Sequence, residues 1–122
     1  MSLWSVLMGD DTFSLEVVGV ASCQPELEEI CGGNPQAGEG QIVLAVLILE
    51  DTNPYDPRAI RVQIWQRTVG YLSPAHAEAF RACLAREAWG VRRFRCRAKI
   101  QRASVLQGAE ELWTVHLDIC LP

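Results

Sequence analysis

The clearest alternation in the chain begins at Phe94. Phe94, Cys96, Ala98 and Ile100 are apolar, and Arg93, Arg95, Arg97 and Lys99 stand between them. A period of two predicts a half-buried strand, with four cationic heads on one face at steps of about 7 Å. The same period turns Ile60, Val62 and Ile64 inward against Arg61, Gln63 and Trp65. It also sets Trp113, Val115, Leu117 and Ile119 opposite Thr114, His116 and Asp118. Residues 68–72 read as a further short strand, closing a hairpin through Gln66-Arg67. Residues 41–50 are apolar without alternation and rich in β-branched residues, which predicts a strand buried on both faces or nearly so. Residues 13–21 are β-rich, and Gly19 marks a bulge or a close backbone approach.

Two segments follow a helical period instead. Pro25 opens the first, acids fill its first turn where the macrodipole favours them, and Leu27, Ile30 and Cys31 share one face before Gly32-Gly33. In the second, Ser73 is an N-cap followed by Pro74 at the first helical position. Ala77, Phe80, Cys83, Leu84 and Ala88 line one face to about Trp89, and Gly90 is the stop. Residues 34–40 read as a polar, glycine-bearing loop. The first dozen residues show no pattern beyond a loop at residues 9–12, although Leu3, Trp4, Val6 and Leu7 could dock on the domain. We therefore expect an N-terminal extension at 1–12 and one domain at 13–122.

The resulting order, β-α-β-β-β-α-β-β, predicts a mainly β fold. The expected form is a small, partly open β-barrel of about six strands, OB-like or SH3-like, with two short α-helices. An open α+β sheet with its helices on one face is the competing architecture.

A chain of 122 residues, 49% hydrophobic and 21% charged, has the make-up of one ordinary globular domain. Its longest apolar run, residues 42–49, is too short to span a bilayer, so no membrane partner is expected. Five cysteines without a C-x-x-C pair fit reduced thiols in a cytoplasmic protein rather than a disulfide framework or a zinc knuckle. The charge is segregated. All eleven basic residues lie between Arg58 and Arg102 against two acids, Glu78 and Glu87, for a local net charge of +9. That block either forms a basic face or is neutralised by acidic strands paired with it. The overall charge of −4 argues against strong non-specific DNA binding.

Candidate chemistry concentrates at Asn53-Pro54-Tyr55-Asp56-Pro57. Two prolines fix φ around a phenol and a carboxylate, which suits a stacking ring beside an acceptor for a ligand hydroxyl. The same residues also suit an Asx turn in which Asp56 caps its own backbone and Tyr55 packs over the barrel rim. The ladder of Arg93, Arg95, Arg97 and Lys99 fits successive phosphates of a single strand, acidic partners on neighbouring strands, or solvent. His76, His116 and the cysteines carry no thiol-enzyme signature, and no ligand cluster calls for a metal or cofactor. The glycines match no phosphate-cradling loop. A non-enzymatic binding domain is expected.

Val17-Val18-Gly19, the apolar strand ending in Glu50, Asn53-Pro54-Tyr55-Asp56-x-x-Ala59-Ile60-x-Val62 and Val69-Gly70-Tyr71-Leu72 together resemble a HIRAN domain. The resemblance covers roughly residues 13–119, and its central signature is the specific part. It implies an OB-like barrel that captures the 3′-hydroxyl end of single-stranded DNA, in repair or replication-fork processing. By motif, Tyr55 would pack on the terminal nucleotide and Asp56 would accept from its 3′-hydroxyl. Asn53 would shape the pocket, and Tyr71 would lie near a phosphate. Some of Arg93, Arg95 and Arg97 would hold the backbone, and Trp113 falls where a DNA-binding member offers a stacking aromatic. Where that member has an Arg-Tyr pair after its first strand, this chain has Ala21-Ser22, and a lysine of the second helix becomes Pro74. A protein-interaction module that has lost DNA binding, with a partner such as a helicase or nuclease, is the alternative.

Overall fold

The computed structural model describes residues 3–32, 40–87, 90–104 and 111–122. The expected loop at 34–39, Gly33 and the helix end at Ala88 and Trp89 lie outside them. Six strands form one antiparallel sheet: β1 (Leu15–Glu16), β2 (Gln41–Leu49), β3 (Ile60–Ile64), β4 (Arg67–Tyr71), β5 (Arg93–Ser104) and β6 (Glu111–Leu117). Their spatial order is β1-β6-β5-β2-β3-β4. The sheet curls until its two edges meet. Val18, just past β1, exchanges backbone hydrogen bonds of 2.9 Å in both directions with Tyr71 of β4. The fold is thus mainly β, of OB-like barrel form, as the alternation implies.

Gly70 permits that closure. A Cβ at this position would lie 2.5 Å from the Val18 carbonyl oxygen and 2.6 Å from Val17 Cγ1. The glycine of the Val-Gly-Tyr segment therefore serves a close approach of two backbones.

Four expectations are corrected. Residues 3–8, expected without a pattern, form a helix, α1 (Leu3–Met8), of which Leu3, Val6 and Leu7 dock on the core as allowed for, whereas Trp4 is exposed. Residues 20–23, expected in part as strand, form a 3₁₀ turn, because Gly19 at φ 78° reverses the chain. Strand β2 is not buried on both faces: Ile42 and Leu44 are exposed, Leu44 at 61%. The β3–β4 turn is Trp65-Gln66, not Gln66-Arg67, since Ile64 pairs with Arg67. Both turn residues have positive φ, 53° and 65°, the type I′ geometry whose twist suits a two-residue hairpin.

Helix α2 (Gln24–Cys31) buries Leu27, Ile30 and Cys31, and α3 (Pro74–Glu87) buries Ala77, Phe80 and Leu84. Both follow the expected faces. Ser73 Oγ accepts the His76 N–H at 3.2 Å and caps α3. The barrel interior is filled from every long strand, with Ala45, Leu47, Ile60, Val62, Ile64, Val69, Ala98, Ile100, Val115 and Leu117 fully enclosed. Phe80 meets Phe94 edge-on at 5.5 Å, seating α3 on the sheet.

Candidate functional site: a groove beside the Asn53–Pro57 turn

The segment between β2 and β3 is fixed by its own side chains. Asn53 Oδ1 accepts the N–H groups of Tyr55 at 2.8 Å and Asp56 at 3.2 Å, while Asn53 Nδ2 donates to Glu50 Oε1 at 3.2 Å. Asp56 Oδ1 accepts the Arg58 N–H at 3.0 Å. The Asx-turn expectation for Asp56 is therefore met by one carboxylate oxygen. Oδ2 has no protein partner among the described residues and stays free to accept. Tyr55 is 95% exposed and does not pack over the rim. Its ring stands in solvent on a rigid stem.

Arg81 of α3 locks this turn from below. Its guanidinium donates to the carbonyl oxygens of Arg58 at 2.9 Å, Pro57 at 3.2 Å and Ala59 at 3.2 Å, and pairs with Asp51 at 2.9 Å. The planar fork reaches three carbonyls, of which that of Ala59 also accepts the Glu50 N–H at 3.0 Å. Sequence reasoning misses Arg81, since on its helix it reads as one more surface cation.

Between turn, β4 and α3 lies a groove of about 570 Å³, lined by Val18, Asn53, Asp56, Arg58, Ala59, Tyr71, Leu72, Pro74, Ala77 and Glu78. It brings Asn53, Asp56 and Tyr71 together with Arg58 and Glu78. Arg58 occupies an unspecified position of the motif, so spacing alone does not single it out. Its side chain has no ion pair among the described residues. Burial, together with the charge of Glu50 and a hydrogen bond to its carboxylate, raises the Tyr71 phenol above its ordinary pKa.

The remaining candidates lie elsewhere. Trp113 is 4% exposed, its Nε1 donates to Glu28 Oε2 at 2.7 Å, and Arg102 covers its ring at 4.7 Å. It is a core residue here, with no face free to stack. The arginine ladder is split. Arg97 pairs with Asp11 and Asp118, and Lys99 lies over the Phe13 ring at 5.1 Å. Arg93 and Arg95 are exposed on β5, outside the groove.

Much of the basic block is neutralised internally: Arg61 by Glu50, Arg67 by Glu29, Arg81 and Arg92 by Asp51, Arg97 by Asp11 and Asp118, and Arg102 by Glu28. No His, Cys, Asp or Glu cluster among the described residues could hold a metal, and no described helix is long and apolar enough to cross a membrane. No family model, curated protein or solved structure matches the chain.

Proposed function

We propose that this chain is a non-enzymatic domain that binds the 3′-hydroxyl end of single-stranded DNA in the groove beside the Asn53–Pro57 turn. One observation carries the reading. Asp56 with one free carboxylate oxygen, Arg58 without an ion pair among the described residues, and Tyr71 line a single groove, with the exposed Tyr55 ring on the adjoining turn. A terminal nucleotide presents a hydroxyl donor, a flat base and a phosphodiester within one residue's length. Asp56 accepts from the hydroxyl, Tyr55 stacks on the base, and Arg58 with Tyr71 faces the phosphate. Glu78 in the same groove disfavours a second phosphate there and fits a strand that ends rather than one that passes through. The resemblance of the Asn-Pro-Tyr-Asp and Val-Gly-Tyr segments to HIRAN domains supports the same assignment.

The test is fluorescence anisotropy of a short labelled oligonucleotide at low salt, ending in a 3′-hydroxyl or a 3′-phosphate. A hydrogen bond to a charged acceptor is worth about 1.5–3 kcal/mol, so Asp56→Ala should weaken hydroxyl-end binding roughly ten- to a hundredfold. The 3′-phosphate end should bind as poorly to the native protein, because its charge meets the Asp56 carboxylate. Equal affinity for both ends would remove the proposed mechanism.

A further inference from the structure

The unabsorbed half of the arginine ladder belongs to a second surface. On the outer face of the barrel, register sets Arg93 beside Ile48, Arg95 beside Val46, Arg97 beside Leu44 and Lys99 beside Ile42. Arg97 is taken up by Asp11 and Asp118, and Lys99 by the Phe13 ring. Arg93 and Arg95 are exposed and have no ion pair among the described residues. Next to them a groove of about 500 Å³ runs along α1, walled by Trp4, Leu7, Met8, Leu44 and Phe94. Trp4, Met8 and Leu44 are all exposed, and Ile42 continues the apolar row of β2 beyond Leu44.

Single exposed apolar residues need no explanation, but a contiguous cluster with a cationic border does. Trp, Met and Arg are the side chains enriched where proteins meet, because they give large contact area and, for Arg, a planar fork for carboxylates. We propose that this groove docks an acidic amphipathic segment of a partner protein. Its apolar side chains lie between Trp4 and Leu44, and its carboxylates pair with Arg93 and Arg95.

Charge complementarity selects that occupant. Nucleic acid would offer phosphates to the arginines but leave the exposed Met8 and Leu44 without an apolar counterpart. A second copy would have to offer free carboxylates beside apolar side chains. In this chain Asp11, Glu28, Glu29, Glu50, Asp51 and Asp118 are held by its own arginines, whereas Glu16, Asp56 and Glu78 are exposed without an ion pair among the described residues, so self-association is an outcome the test separates. The surface is therefore an apolar groove with two unspent positive charges, facing a partner that brings the opposite sign.

The probe is a short fluorescein-labelled synthetic peptide with Leu and Phe at helical i, i+3, i+4 spacing and Glu elsewhere. It is compared with a Lys-for-Glu version and a Ser-for-Leu/Phe version, by anisotropy and by amide shift mapping of the full chain. Saturable binding of the acidic peptide alone, with shifts confined to α1, β2 and β5, supports the proposal. Arg93→Glu with Arg95→Glu should weaken it roughly tenfold, as two exposed pairs are lost and reversed, and should admit the Lys version instead. Leu44→Ser, at an exposed position that leaves the core intact, should abolish binding. Equal binding of all three peptides, no saturable binding, or shifts centred on the Asn53–Pro57 groove would overturn it. So would competition by an oligonucleotide for the same residues, or self-association that Leu44→Ser removes.

Discussion

Arg81 Nε donates to the carbonyl oxygen of Arg58 at 2.9 Å, tying the middle of α3 to the turn that carries Tyr55 and Asp56. The guanidinium makes further bonds to Pro57 and Ala59, so several bonds join turn and helix. Lysine at this position would keep the charge but not the fork. Arg81→Lys should therefore weaken end-specific binding by roughly three- to tenfold, with the 3′-hydroxyl preference reduced and Arg81→Ala worse. Anisotropy against both oligonucleotide ends reads this out. An unchanged end preference in Arg81→Ala would show that the turn holds its shape without the helix.

Tyr55 separates binding from stability. Its ring touches so little protein that Tyr55→Ala should leave the urea midpoint unchanged. Stacking on one base is worth about 1–3 kcal/mol, so the same variant should lose roughly five- to a hundredfold in oligonucleotide affinity. A large drop in stability would mean that the ring packs on the barrel after all.

Asp118 is 1% exposed and joins the N-terminal segment to the sheet. Its Oδ1 accepts the N–H groups of Asp10 at 3.1 Å and Asp11 at 3.0 Å, and its other oxygen pairs with Arg97. Asp118→Asn should lower the urea midpoint, because the buried carboxylate loses its charge pairing with Arg97, and the 41% exposure of Arg97 keeps the loss below that of a fully buried pair. Urea denaturation reads this out, and an unchanged midpoint would contradict it.

Acid should loosen the same corner. The Thr12 hydroxyl and N–H, donating to Asp10, hold its carboxyl below the ordinary carboxylate range. The folded pKa lies below the unfolded one, so this contribution is present above the unfolded value and is lost as pH falls through the folded one. Thr12→Val should flatten the acid limb of a stability–pH curve, and an acid limb as steep as the native protein's would contradict the assignment.

The thiols should label in order of access. Burial, with Asp118 nearby, pushes Cys96 up to about 12, and burial also raises Cys31. At pH 8 both stay protonated and enclosed. Iodoacetamide followed by mass spectrometry should modify the half-buried Cys23, Cys83 and Cys120 first, and Cys96 only in denaturant. Equal rates for Cys96 and Cys83 would contradict the packing of β5.

Several elements were legible from local pattern because their causes are local. Ser73-Pro74 starts α3 through a cap bond three residues long, and the alternation of β3 already states which side is inward. The candidate groove was half legible: Asn53, Asp56 and Tyr71 converge, whereas Arg58 and Arg81 gave no signal in their spacing. Strand β2 misled because an unbroken apolar run carries no information about faces, so Ile42 and Leu44 could not be told from Ala45 and Leu47. The Trp65-Gln66 turn lacks the usual turn residues, and hairpin closure imposes its positive φ values instead. Trp113 reads as a ring for stacking until α2 supplies Glu28 and the sheet encloses it.

By itself the sequence determined the β class, most of the element order and the rigid Asn53–Pro57 turn, since capping, alternation and proline geometry act within a few residues of chain. Tertiary structure alone decided which charges remain unspent. Arg97 is answered by Asp11, 86 residues away, and by Asp118 across the sheet, while Arg93 and Arg95 on the same strand face meet no acid among the described residues. A ladder of identical spacing is thus divided by what the fold brings beside each rung, because ion pairing depends on distance in space and not along the chain.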